Sequence, residues 1–138
     1  MKALFEENSY GSELLNKYEN KELSDAQFLK AFGQSDIFYS TPFGDTVGGQ
    51  QALFLVRKSD GPLYHPVFTS LENAKTYFNK AGRAGFLIMS KTFLDFVKDT
   101  LNIYENAPEK VGVIIEPGVF GITLDPEVLD AVIKMMQS

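Results

Sequence analysis

A short turn signal in the middle of the chain limits the folds that this sequence can adopt. Residues 59–62 read Ser-Asp-Gly-Pro, in which the glycine accepts a positive φ and the proline cannot continue a strand ladder. Residues 52–56 and 63–68 on either side are rich in the apolar, aromatic and β-branched residues typical of strands. The pattern predicts a β-hairpin, which argues against a purely parallel, doubly wound sheet.

Helix start signals lie on both sides of this hairpin. Ser24 and Gln27 have the spacing of a capping box and precede an apolar stripe, so they predict a helix that begins there. Thr69 and Glu72 repeat the spacing and predict a second capping box at the start of a helix over residues 71–81. A strand is therefore expected to pass directly into a helix at this point.

Two further helices are expected in the C-terminal half. Ser90 is placed as the N-cap of an amphipathic helix over residues 93–104. Asp125 begins the last helix, because Pro126 at the first helical position lacks only an N–H that would have no intrahelical partner. The buried face of the last helix is predicted to comprise Val128, Leu129, Val132, Ile133 and Met136.

The remaining apolar runs have strand length and complete the predicted fold. Strands are expected over residues 36–41, 85–89 and 111–115, whereas residues 42–50 read as a long, glycine-rich loop. We therefore predict an α+β fold with a mixed, mostly antiparallel sheet and flanking helices, in a single domain over residues 1–138. The residues expected in the core are Leu53, Leu55, Phe68, Phe78, Leu87, Phe96, Ile114 and Val132.

Composition excludes several classes of function. The chain has no cysteine, and so it lacks thiolate nucleophiles, redox pairs and cysteine-bound zinc, which fits a cytoplasmic protein. Its net charge of −5 argues against nucleic acid and anionic membranes, because binding to either requires clustered lysine and arginine. The apolar runs are also far shorter than the ~20 residues that span a bilayer.

The single histidine of the chain, His65, is the residue on which histidine catalysis would depend. Any Ser-His-Asp triad would have to include this histidine, yet no serine lies in a Gly-x-Ser-x-Gly elbow. The glycines of residues 44–49 match neither a dinucleotide fingerprint nor a P-loop, and no calcium loop or zinc motif is present. We expect a non-catalytic protein without cofactor or metal. The alternative is a small hydrolase or ligand-binding enzyme that uses paired carboxylates with His65, since such carboxylates meet only in three dimensions.

Two aromatic residues lie outside the apolar faces of all the predicted helices and strands. Phe43 lies on the glycine-rich loop and Phe120 lies between two glycines, and exposed aromatic residues on loops are candidates for protein contacts. Asp45 shares the loop of Phe43, and Glu116 precedes the turn that leads to Phe120. We therefore predict a contact surface that contains these four residues, for a protein partner whose basic groups complement the acidic chain.

The order of three motifs resembles a known family. A strand ending in Phe68-Thr69-Ser70 passes directly into a helix, an apolar strand is followed by Glu-Pro-Gly at residues 116–118, and the closing segment over residues 124–129 reads Leu-Asp-Pro-Glu-Val-Leu. This order is similar to that of the SseB N-terminal domain family, the enhanced serine sensitivity proteins. The resemblance covers residues 23–136 and implies a bacterial α+β domain with no established catalytic activity.

One position departs from the pattern of that family. In the family pattern an asparagine typically precedes the Pro-Gly turn, whereas this chain has Glu116. The resemblance therefore implies no role for such an amide here in holding the turn or touching a ligand. The resemblance and the charge together lead us to expect a cytoplasmic protein-interaction module, with an immunity-type or regulatory role.

Overall fold

The structure is a computed structural model that describes residues 10–40, 43–47, 50–53, 55–57, 61–81, 88–105 and 110–137. Its helices are α1 (Tyr10–Glu19), α2 (Asp25–Phe32), α3 (Leu71–Lys80), α4 (Phe93–Ile103) and α5 (Leu129–Gln137). Its strands are β1 (Asp36–Ser40), β2 (Phe43–Val47), β3 (Gln50–Leu53), β4 (Val56–Arg57), β5 (Leu63–Val67), β6 (Ile88–Thr92), β7 (Val111–Ile115) and β8 (Ile122–Leu124). None of the helices in these ranges is long and apolar enough to cross a membrane.

The strands pair mostly antiparallel. β1 pairs with β6, β2 pairs with β3, and the largest sheet has the order β4-β5-β7-β8, in which β5 and β7 are parallel and the other pairs are antiparallel. The predicted hairpin is confirmed by the pairing of Val56 with Tyr64. The predicted α+β class with a mixed, mostly antiparallel sheet is also confirmed.

The parallel pair β5–β7 determines where the chain can form a site. Parallel strands require a long crossover, and here α3, β6 and α4 provide it. All five residues of β7 are buried, as expected for an apolar strand that is covered on both faces. The carboxyl ends of β5 and β7 consequently meet at one edge of the sheet, which is where ligand and contact residues collect in such units.

Among the described residues, two hydrophobic clusters hold these layers together. The larger joins α1, α2, α4 and α5 to inward residues of the strands, such as Val67 and Val113. The smaller joins Phe68 to Ala74 and Phe78 of α3. Of the predicted core residues, Leu55 is only partly buried, Leu87 and the side chain of Leu53 lie outside the described residues, and Phe68, Phe78, Phe96, Ile114 and Val132 are buried as predicted.

The predicted helix starts differ in how well they match the structure. At α2 the capping box is confirmed, because the Ser24 hydroxyl accepts the Gln27 N–H at 3.1 Å and the Gln27 side chain accepts the Ser24 N–H at 2.9 Å. At α4 the prediction was wrong by two residues. Thr92, not Ser90, is the N-cap, because β6 continues through Ser90 and ends at the helix itself.

The structure differs from the sequence prediction at several other places. Residues 42–50 contain strand β2 instead of forming only a loop, and the run over residues 52–56 is divided between β3 and β4. β8 has three residues, too few to show a period in the sequence. The last helix begins with a 3₁₀ turn, Pro126–Val128, in which Asp125 makes no side-chain cap. Val128 is 40% exposed, and so it does not belong to the buried face.

Candidate functional site at the ends of β5 and β7

A buried carboxylate lies where the carboxyl ends of β5 and β7 meet. Glu116 directly follows β7, and only 1% of its surface is exposed. Its φ is 53°, in the left-handed region, which costs a residue with a Cβ roughly 1–2 kcal/mol. A strained backbone and a buried charge persist only when the surrounding groups stabilise them, and such residues concentrate at functional positions.

The carboxylate of Glu116 is held by groups from the β5–α3 junction. It accepts the backbone N–H of Thr69 at 3.0 Å, the Thr69 hydroxyl, and the Asn73 side-chain amide at 3.3 Å. The Ser12 hydroxyl of α1 lies 2.9 Å from the Thr69 hydroxyl. Because Thr69 donates its only hydroxyl hydrogen to the carboxylate, Ser12 is the donor to Thr69. We call Ser12, Thr69, Asn73 and Glu116 the junction network.

The backbone of Glu116 organises the loop that follows it. Its N–H donates to the Val67 carbonyl at 2.8 Å, which extends the pairing of β5 with β7 by one bond. Its carbonyl accepts the N–H groups of Val119, Phe120 and Gly121 at 3.2, 3.0 and 3.0 Å. One residue thus ties the two strand ends together and fixes the turn that leads to β8.

Opposing effects act on the ionisation of Glu116. Burial raises the pKa of its carboxyl above the ordinary value of 4.5, whereas the hydrogen bonds from Thr69 and Asn73 lower it. The effect of burial is the largest, so the pKa is raised overall. The junction network therefore contains a carboxyl group that holds its proton more readily than a surface glutamate does.

The start of α3 differs from the predicted capping box. Ser70 is the N-cap and its hydroxyl accepts the Asn73 N–H at 3.1 Å, while Thr69 lies one residue earlier. The Thr69 hydroxyl bonds instead to Glu116, and Glu72 is exposed at the start of the helix. The Ser70-x-x-Asn73 spacing was a local signal for this cap. The partner of Thr69 had none, because it lies 47 residues further along the chain.

The four predicted contact residues belong to two parts of the chain, β2 and the segment after β7. Phe43 and Asp45 belong to β2, with their side chains outside the described part of the chain. Glu116 faces the interior, and Phe120 is partly buried against the larger cluster. Partner contact by these residues stays a prediction. The sequence reasoning did not single out Val119, which is 65% exposed beside Phe120, because a lone valine on a loop carries no distinctive signal.

His65 lies in the interior of the fold. It is 4% exposed, and its Nε2 lies 3.0 Å from the Ser40 carbonyl oxygen. Its ring centroid is 4.7 Å from that of Phe96 and 6.2 Å from that of Tyr39. Within the described ranges, no three His, Asp or Glu side chains lie close enough together to hold a metal ion.

A second polar contact lies at the other end of the sheet. The Tyr64 hydroxyl donates to the Asp125 carboxylate at 2.5 Å. This hydrogen bond, together with burial, raises the pKa of Tyr64 to about 12. It also explains why Asp125 does not cap the following 3₁₀ turn, since its carboxylate faces β5.

A comparison with family models identifies the chain. The model of the SseB protein N-terminal domain matches residues 12–131, a span that includes the whole junction network. Searches of curated proteins and of solved structures gave no match. Because the family model covers most of the 138 residues, this chain belongs to the SseB protein N-terminal domain family.

Proposed function

We propose that this chain is a non-catalytic protein-interaction module of the bacterial cytoplasm, and that it contacts its partner through the loop after β7. The main support for the proposal is the exposure of Val119, an aliphatic residue that is 65% exposed on a loop with a fixed backbone. Three hydrogen bonds to the Glu116 carbonyl hold that loop. Recognition residues are concentrated on loops that a rigid scaffold positions, because little conformational entropy is then lost on binding.

The surroundings of this loop favour a partner with basic groups. Leu71 begins α3 at the neighbouring strand end and is 43% exposed, so a second aliphatic side chain is available at this edge. Glu72 and Glu13 are exposed beside Leu71 and Ser12, respectively. Together with the net charge of −5, these carboxylates favour association with a basic surface. An immunity-type or regulatory role fits an interaction of this kind.

Photo-crosslinking in growing bacteria tests the proposal. A photoreactive amino acid replaces Val119 in one version of the chain and Ile103 in another. Ile103 is the matched control, because it is 55% exposed and ends α4. We expect one protein to be crosslinked from position 119 and not from position 103. Equal yields from both positions, or no crosslink from position 119, would contradict the proposal.

Binding of the captured protein to the purified chain provides the quantitative test. Val119→Asp should weaken the affinity by roughly thirtyfold, because an apolar anchor at the centre of an interface contributes ~2 kcal/mol or more. Ile103→Asp should change the affinity by less than about twofold, since substitutions outside an interface leave binding unaffected. Equal losses in the two variants would show that the negative charge, and not the loop, weakens binding.

A further inference from the structure

An apolar groove lies between helices α2 and α5 and strand β8. Its volume is about 380 Å³, within the range of about 300–1,000 Å³ that is usual for ligand sites. Its apolar lining comes from all three elements and includes Phe28, Leu29, Ile122, Leu124, Val132 and Met135. Met135 remains 39% exposed. Within the described part of the chain, the groove therefore offers apolar surface that is only partly covered.

The strand beside this groove is at the edge of its sheet. β8 pairs with β7 on one side, and among the described residues no strand pairs with its other side. Alternate residues of such an edge strand direct their N–H and C=O groups away from the sheet. An edge strand next to a groove lined by a helix is the arrangement in which an extended peptide adds a strand and places alternate side chains in the groove.

One charged group lies in the lining. Of the described residues that line the groove, Asp25 alone carries a charge. It is exposed at the start of α2 and accepts a hydrogen bond from the Tyr18 hydroxyl at 2.6 Å. A carboxylate at the border of an apolar groove favours a lysine or arginine in the bound segment.

We propose that this groove binds an extended segment of a partner protein, with apolar residues at alternate positions and a lysine or arginine that reaches Asp25. A bound helix would leave the outward backbone groups of β8 unpaired. A second copy of this chain would bring two acidic molecules together, each with a net charge of −5. The proposal rests on the groove and β8, independently of the loop after β7.

Selection from a phage-displayed library of short random peptides tests the proposal. The enriched sequences should have apolar residues two apart and one basic residue. The synthetic peptide of the enriched sequence should shift the amide resonances of Ile122, Thr123 and Leu124. Its N-methylated form, whose backbone donors are blocked, should lose about tenfold or more in affinity, because strand addition depends on main-chain hydrogen bonds.

Two substitutions of exposed alanines locate the binding site. Ala131 of α5 lines the groove, so Ala131→Trp should fill the groove and lower the affinity for the peptide about tenfold or more. Ala26 of α2 is exposed outside the lining, and Ala26→Trp should change the affinity by less than about twofold. Circular dichroism and thermal unfolding would confirm that both variants fold.

Separate measurements test the role of the Asp25 charge and the alternative occupants of the groove. Asp25→Asn should lower the affinity for the basic peptide by roughly threefold to fivefold, as expected for an exposed ion pair. The affinity for an analogue with glutamine in place of the basic residue should not change. The proposal would be overturned by enriched sequences whose apolar residues have helical spacing, or by no enrichment at all. It would also be overturned if Ala131→Trp bound the peptide as tightly as the wild type does. Dimerisation that Ala131→Trp abolishes in sedimentation would instead assign the groove to a second copy. Retained peptide binding by Val119→Asp separates this site from the loop.

Discussion

The carboxylate of Glu116 accepts the backbone N–H of Thr69 at 3.0 Å across 47 residues of chain. This bond joins the end of β7 to the start of α3. An asparagine at this position would tolerate a positive φ better than a glutamate does and would carry no charge. Here the connection depends on an ionisable group, so we expect its strength to depend on pH.

Glu116→Gln should remove one source of pH dependence from the stability of the protein. The pKa of this carboxyl is raised in the folded state from the ordinary value of 4.5. Between these two values the folded state binds more protons than the unfolded state, so stability falls as pH rises. The advantage of the wild type over Glu116→Gln in free energy of unfolding should shrink as pH rises from 4.5. Urea denaturation from about pH 5 to about pH 8 measures this difference, and a constant or growing advantage would contradict the prediction.

Thr69→Ala should destabilise the protein more than Ser70→Ala does. The first change removes a hydroxyl donor from a buried carboxylate, which costs about 2 kcal/mol, because hydrogen bonds to charged groups are stronger than neutral ones. The second removes only the N-cap of α3, which costs about 1 kcal/mol. Thr69→Ser keeps the hydroxyl and should restore most of the stability. Equal urea midpoints for Thr69→Ala and Ser70→Ala would show that the bond to Glu116 contributes no more to stability than the helix cap does.

Tyr64→Phe should remove a late step from the alkaline titration of the protein. The pKa of Tyr64 is raised to about 12 from 10.0, so its contribution to stability is complete below pH 10 and is lost as pH rises towards 12. Ultraviolet absorbance follows the ionisation of the 6 tyrosines. The wild-type curve minus the variant curve should have its midpoint near pH 12. A midpoint near 10 would mean that the hydrogen bond to Asp125 does not persist in solution.

Gly112→Ala should disturb the contact between β7 and β8. A Cβ at this position would overlap the Leu124 carbonyl oxygen and lie 3.1 Å from atoms of Pro126 and Tyr64. We expect a loss of about 2 kcal/mol, because the backbone of β8 must move. Hydrogen exchange of the β8 amides should accelerate as well.

Gly118→Ala serves as the control for that prediction. Its φ is 90°, and no atom of the described residues lies within 4 Å of the added carbon. It should lose stability through backbone strain alone, with the exchange of the β8 amides unchanged relative to the other strands. Faster exchange of β8 in both variants would mean that general destabilisation, and not the overlap at Gly112, loosens the strand.

The parts of the fold with local signals could be predicted from the sequence. The capping box at Ser24 and the apolar run of β7 depend on residues that are neighbours in the chain, and both were confirmed. β8 was missed because three residues are too few to show a period. The start of α3 was misassigned because the Thr69-x-x-Glu72 spacing is consistent with a capping box, whereas the hydroxyl has a charged acceptor from another part of the chain.

The candidate sites could be predicted from the sequence less well than the fold could. The junction network combines residues from α1, the β5–α3 junction and the end of β7. The groove combines α2, β8 and α5. Neither set has a characteristic spacing, because its members meet only after the strands have paired. The Pro-Gly turn after Glu116 directed the sequence prediction to the loop that we propose as the contact site. The exposed side chain there is that of Val119, one residue before the predicted Phe120.

The parallel pairing of β5 with β7 has a consequence during protein synthesis. Thr69 leaves the ribosome 47 residues before Glu116, an interval of about 2–10 s at ~5–20 residues per second. Throughout that interval β5 has no β7 beside it, and its apolar residues are open to incorrect pairing. Pro66 lies within β5 and has no N–H to donate to a ladder. It therefore weakens the incorrect pairing of the nascent strand until β7 has been synthesised.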